Sequence, residues 1–300
     1  MTPKTNPLLS YGFTLIELIV VIVVSGIIAI AITNFIVHPI DGYNDLQRRT
    51  ELVDSAEMAL QKMARDIRRA LPNSVRTNST TIDMINTLDA GVYRITPPPG
   101  GNSNLLEFGW DDGSFGGDNQ FTIYGQFQQL NLPFSQSIAL VINSTNSTDV
   151  YAQSVNPDRT SATENYVITP PGITVSIDTN ADSAVTLSSP VFLTPFSSEP
   201  PALDTSIQGR RIFLVNGGIT YKCESGKLNR YSDHSLSTTV GDTGSASADL
   251  LAAHVDCTNT SFTFDPGSPL RGALATLTIT LSDSGETITL LHQVHVSNTP

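Results

Sequence analysis

The hydrophobic pattern divides the chain into stretches of different period. Residues 1–12, MTPKTNPLLSYG, are mostly polar, hold two prolines and the basic Lys4, and predict no stable helix. From Phe13 to Val37, 25 residues are almost continuously apolar, and Glu17 is the one ionisable side chain among them. At 1.5 Å per residue such a helix crosses a hydrocarbon core of about 30 Å. His38-Pro39-Ile40-Asp41-Gly42 interrupts the pattern, and Pro39 without an amide beside a permissive Gly42 predicts a kink or partial unwinding. Periodicity resumes with Leu46, Val53, Ala56, Leu60, Met63, Ile67 and Ala70/Leu71 at three- and four-residue steps, the stripe of an amphipathic helix. Arg68 and Arg69 suit its C-terminal dipole, and Pro72 ends it. The polar face comprises Arg48, Arg49, Glu51, Asp54, Lys62, Arg65 and Asp66, and the stripe is expected to pack on the chain's own sheet.

Beyond about residue 75 the pattern shortens to alternating runs split by turn residues, which predicts a β-rich head. Strands are expected at 92–96, 105–110, 137–142, 166–169, 173–177, 210–215, 219–223, 228–231, 261–264, 273–281 and 287–296. The last two alternate Leu274, Thr276, Thr278 and Thr280 with Ala275, Leu277, Ile279 and Leu281, and Ser282–Glu286 joins them as a hairpin. A second hairpin is expected at Asn216-Gly217-Gly218, and loops at 97–101, 113–119 and 242–247. The fold class is therefore α+β: a long N-terminal helix, half membrane-type and half amphipathic, packed on a β-rich globular head.

Charge narrows the function classes. Residues 1–71 hold seven basic and seven acidic side chains, so the net charge of -12 comes from the rest, with nine basic against 21 acidic. An acidic head repels phosphates, and nucleic acid is not an expected partner. The two cysteines, Cys223 and Cys257, lack the spacing of a zinc site. They suit one disulfide across a 35-residue loop if the head is exported, worth about 3–4 kcal/mol; a pair of buried free thiols is the alternative.

No constellation for catalysis stands out. GxSxG and SxxK are absent, and His292 and His295, three apart in a strand, face opposite ways, so no enzyme is expected. Asp178-Thr179-Asn180-Ala181-Asp182 matches the opening of a calcium loop, yet Ser183 replaces the turn glycine and Ser189 the bidentate acid. Asp178, Asn180 and Asp182 are weak calcium candidates, as are Asp111, Asp112, Asp118 and Asn119; a solvated turn is the expected state of both loops. No other cofactor is expected.

Glu17 decides how the apolar segment is read. A secretory signal with Ala29-Ile30-Ala31 as cleavage site fails on length, since the apolar run continues through Ile36. A plain anchor leaves a carboxylate in the apolar core at about 2.5 kcal/mol or more without a partner. A buried helix of a soluble protein fails on length as well.

Gly12-Phe13-Thr14-Leu15-Ile16-Glu17 before a long apolar helix resembles the class III signal of type IV pilins and type II secretion pseudopilins. The resemblance implies cleavage after Gly12 by prepilin peptidase and methylation of Phe13 as the new N-terminus. It also implies that Glu17 sets assembly register by pairing with a neighbour's N-terminal amine. Implied partners are that peptidase, other minor and major pilins, and an inner-membrane assembly platform. The ending HQVHVSNTP, the segment RGALATLTITLSDSGETITLLHQ, and Cys223 with Val255-Asp256-Cys257 look like the MshO-type minor pilins of the mannose-sensitive haemagglutinin (MSHA) pilus. MARDIRRALPNSVR (63–76) looks the same and is shared more loosely with J-type minor pseudopilins.

These likenesses imply a leader over 1–12, a transmembrane helix over 13–38, an amphipathic half over 39–71 and an exported head over 72–300. They imply an inner-membrane protein with a periplasmic head that joins the initiation or tip complex of a surface filament. A J-type pseudopilin and a tip adhesin, with a binding groove near Trp110 or Phe115, are the alternatives.

Overall fold

α1 (Leu15–Arg69) carries Glu17 in its first turn and Arg68 and Arg69 in its last, each charge complementing the nearer pole of the helix. The computed structural model describes residues 12–94, 105–106, 118–142, 144–155, 167–191, 210–267 and 272–296. Two compact units divide the chain at Glu51/Leu52. In the first, every described side chain from Gly12 to Ile32 is exposed. In the second, Ala56, Met63 and Ile67 are fully buried and Leu52, Ala59, Leu60 and Ala64 nearly so. The expected stripe therefore begins at Leu52, and Leu46 lies 65% exposed.

α1 runs through Pro39 without a break, which corrects the expected unwinding at residues 38–42. One lost amide costs about 3 kcal/mol, and the bonds of flanking turns carry the helix past it.

The second unit holds β1 (Arg76–Asn78), β2 (Thr81–Val92), β3 (Asp118–Thr122), β4 (Phe134–Ser137), β5 (Ala139–Ile142), α2 (Ser147–Ser154), β6 (Thr174–Ile177) and β7 (Ala184–Val191). It continues with β8 (Arg211–Glu224), β9 (Lys227–His234), β10 (Ala248–Ala253), β11 (Ser261–Asp265), β12 (Ala273–Asp283) and β13 (Glu286–Val296). One sheet has the order β1-β2-β8-β9-β10 with β5 also paired to β8; a second is β11-β12-β13, and a third is β3-β7-β6-β4. The Asp118-Asn119 end of an expected loop opens β3 instead, and 113–117 lie outside the described residues.

β8 organises the centre. Its alternation places Ile212 and Leu214 in one core with β3, β6 and β7, and Phe213 and Val215 in another with α2. Ile219, Tyr221 and Cys223 then join α1, β12 and β13 in the third core. The hairpin expected at Asn216-Gly217-Gly218 is instead an irregular step inside this single strand. There β8 changes its second neighbour from β5 (residues 212–215) to β9 (from Gly218), while β2 stays alongside. The glycines serve close approach rather than chain reversal: a Cβ on Gly218 would meet the His234 ring at 2.3 Å. Gly217, at φ +135, would meet the His234 carbonyl oxygen at 2.8 Å. Asn216 accepts from Asn86 at 2.7 Å and donates to Asp233 at 2.8 Å, which holds the step in place.

The β12–β13 hairpin follows the expected register, with Asp283 opposite Glu286 and positive φ at both Ser284 and Gly285. Ala275, Leu277, Ile279 and Leu281 are fully buried, the face their alternation assigns.

Asp66, read from the sequence as part of the polar face, is 8% exposed. It accepts from the Tyr221 hydroxyl at 2.7 Å and from Arg230 Nε at 2.8 Å, with Lys62 Nζ at 3.6 Å. Burial pushes the Tyr221 hydroxyl well above its ordinary pKa, and its bond to Asp66 adds to that. A helical carboxylate is thus buried because the sheet supplies its partners. Removing it strands a half-buried guanidinium. Asp66→Ala is expected to cost about 3 kcal/mol of unfolding free energy, and Lys62→Ala less than about 1 kcal/mol. Denaturant unfolding of the full chain in detergent checks this, and equal losses contradict it.

Candidate functional site

The N-terminal segment is a helix start with its acid already in place. Thr14 Oγ1 accepts the Glu17 amide at 3.3 Å, and the Leu18 amide donates to the Thr14 carbonyl at 3.2 Å. Thr14 therefore caps α1, and Glu17 stands at the third helical position, the Thr-x-x-Glu spacing of a capping box. The role of Thr14 was readable in that spacing, although the segment's apolar run draws attention first. Capping satisfies an amide that a helix end in lipid otherwise leaves without a partner.

The apolar surface around this start is exposed. Phe13 is 80% exposed, Leu15 76% and Ile16 70%, and Leu15–Ile32 shows no burial at all. Those 18 residues are about 27 Å long, close to the thickness of a bilayer's hydrocarbon core. The Ser25 hydroxyl donates to the Val21 carbonyl, so the polar atom within the run is satisfied inside the helix. Glu17 alone brings a full charge to this surface, and no ion pair reaches it among the described residues. Gly12 is the first described residue; the rest of the expected leader lies outside them.

Cys223 on β8 and Cys257 between β10 and β11 form a disulfide with their Cα atoms 5.5 Å apart. It ties two sheets that also meet through the Phe262 amide and the Ser79 carbonyl at 2.7 Å. His292 and His295 occupy opposite faces of β13, and no cluster of three or more metal-ligating side chains occurs among the described residues. Trp110, Phe115, Asp111 and Asp112 lie outside the described residues.

The Asp178–Asp182 turn has its oxygens engaged within the protein. Asp178 Oδ1 accepts the amides of Asn180 at 3.2 Å and Ala184 at 2.9 Å, and its other oxygen accepts from the Asn180 side chain. Asp182 accepts the Gly125 amide at 2.9 Å and pairs with Arg94, whose guanidinium stacks 4.1 Å over Tyr124. These contacts hold the turn to β3 and β2 with the same atoms a cation would need.

The Gly125 amide holds the Asp182 carboxyl below its ordinary pKa of 3.8; desolvation opposes this and Arg94 reinforces it. A lowered folded pKa gives stability that is present above 3.8 and lost as pH falls through the folded value. The stability gap between wild type and Asp182→Asn is therefore expected to be open at about pH 6 and to narrow as the pH falls below 3.8. Thermal unfolding of the two chains across this range checks it, and a gap unchanged by acid contradicts it.

Compared with known proteins, residues 9–33 match the family described as the prokaryotic N-terminal methylation motif. No curated protein and no solved structure gives a significant match to the chain. The motif indicates a type IV pilin-like N-terminus, and an apolar N-terminal helix with a strand-rich head fits a pilin-like layout. The motif implies processing by prepilin peptidase and assembly with other pilins.

Proposed function

We propose that the chain is a prepilin cut between Gly12 and Phe13, methylated on Phe13, and assembled as a minor subunit of an MSHA-type pilus at its initiation or tip complex. One observation carries the assembly role: Glu17 is the sole charge on an apolar helical run, Leu15–Ile32, whose side chains are exposed. In lipid or in a filament core that carboxylate needs a cation, and cleavage after Gly12 creates one in the new α-amine. Thr14 engages the Glu17 amide, and the Glu17 carboxylate makes no ion pair among the described residues. Pairing between the amine of one subunit and Glu17 of the next fixes their axial stagger.

The minor rank is supported by the likeness of residues 63–76 and of the C-terminal hairpin to MSHA minor pilins, and by a head of more than two hundred residues. Before assembly the protein sits in the inner membrane by α1 with the head in the periplasm. Its role is structural, and the disulfide suits an oxidising compartment.

Glu17→Ala is expected to be inserted and processed like wild type but to enter sheared filaments at about a tenth of the wild-type amount or less, a loss of over about 1 kcal/mol. Immunoblots of membrane and filament fractions read both quantities. Normal incorporation of the variant overturns the register role.

A further inference from the structure

Where β8 changes neighbours, at Asn216-Gly217, the sheet forks. β5 pairs with β8 as far as Val215, through Ala139, and β9 pairs with it from Gly218, through His234. At this fork the head opens a cleft of about 400 Å³, within the size range of small-ligand pockets. Asn216, Asp233 and His234 line it from the fork, and Ser154 and Val155 from the C-terminal end of α2. Leu236 and Pro170 add apolar wall, and Val155 is 46% exposed.

The fork holds one acid in a fixed place. Asp233 has a φ of +56, a backbone state that most side chains resist and that Asp tolerates. Its Oδ1 accepts from Asn216 Nδ2 at 2.8 Å, and Asn216 Oδ1 in turn accepts from Asn86 at 2.7 Å. Asp233 is exposed, and among the described residues nothing donates to its Oδ2 and no ion pair reaches it.

The hydrogen bonds already made select the ligand. The Ser154 hydroxyl is spent on the Tyr151 carbonyl at 2.8 Å, and the Asn216 amide is engaged by Asp233. Both ring nitrogens of His234 are engaged, by Thr220 Oγ1 and by the Ser235 carbonyl, each at 2.9 Å. At the rim the Ser137 and Ser235 hydroxyls accept as readily as they donate. What the cleft offers is therefore acceptors: the second Asp233 oxygen and the negative pole of α2, whose last turn holds no basic side chain. No lysine or arginine lines it among the described residues. Residues beyond 71 carry 21 acidic against nine basic side chains, so the field of the head draws cations.

We infer that this cleft binds a primary ammonium group on an aliphatic stem, as a lysine side chain or a short free diamine carries. The ammonium brings three donors and no acceptor to Asp233, and its stem lies against Val155, Leu236 and Pro170. With Oδ1 held by Asn216, the carboxylate has no free pair of oxygens for a guanidinium fork, and a compact ammonium suits the one that remains. A neutral sugar needs donors as well as acceptors. The cleft lies wholly in the second unit, and its chemistry is independent of the filament role.

The test titrates the full chain in detergent micelles with Nα-acetyl-lysine amide, cadaverine and the uncharged Nα-acetyl-norleucine amide, followed by ligand-observed NMR. The two amines are expected to bind about fivefold or more tighter than the norleucine probe, with an advantage that shrinks as salt rises. A tighter lysine probe assigns the cleft to a peptide side chain and a tighter diamine to a free amine; both uphold it. Asp233→Asn, which suits the same backbone, is expected to lose about fivefold or more of the amine affinity. Val155→Arg, at an exposed position, is expected to lose as much by placing a cation in the cleft. Asp249→Asn, the same change of charge on β10, is expected to keep full affinity. Equal binding of charged and uncharged probes, or full affinity in Asp233→Asn or Val155→Arg, overturns the site. So does displacement of the lysine probe by methyl glucoside, which marks a polyol cleft.

Discussion

Asp66 is the point on which the head's assembly turns. It sits on the buried face of α1 among Met63, Ile67 and Ala70, where a bare carboxylate would oppose folding. Tyr221 and Arg230, on adjacent strands β8 and β9, meet it from the sheet. Apolar packing alone tolerates a helix sliding or rotating by a residue, because Ala56, Ala59 and Leu60 make undirected contacts. A charge with two directed donors does not. The pair thus selects one seating of helix on sheet, even though replacing it by apolar residues need not lower stability.

The same helix begins with the opposite arrangement. From Gly12 to Ile32 its described side chains are exposed, and its one acid stands at the third helical position. Glu17 and Asp66 are two solutions to one problem, a carboxylate on an apolar face. Asp66 is answered within the chain by Tyr221 and Arg230. Glu17 has no ion pair among the described residues.

The periodic parts were legible in the sequence. The membrane-type run, the stripe from Ala56 to Leu71 and the β12–β13 hairpin follow from period and turn chemistry alone. What escaped was set by partners distant in the chain. β2 contains Asp83, Asn86 and Asp89, which read locally as turn formers. In the fold Asp83 is 2% exposed and satisfied by Thr220 at 2.8 Å, the Gly241 amide at 2.8 Å and Arg76 at 3.2 Å. Asn-Gly-Gly at 216–218 signals a reversal by residue type, yet the glycines are there to admit the His234 ring. β10, ADLLAA, has the composition of a helix and becomes a strand by pairing with β9. Asp66 looked solvent-facing because its partners lie 155 and 164 residues away. Of the candidate site, the Gly12–Glu17 pattern was plain and the Thr14 cap was implicit in its spacing.

The central claim is that Phe13 becomes the mature end of the chain, placing a cationic amine four residues ahead of Glu17. Mass spectrometry of the N-terminal peptide, from protein purified out of native membranes, tests it most directly. The account predicts a chain that begins at Phe13 and carries a methyl group on its α-nitrogen. A chain retaining residues 1–12, or one cut after Ala31, would contradict it.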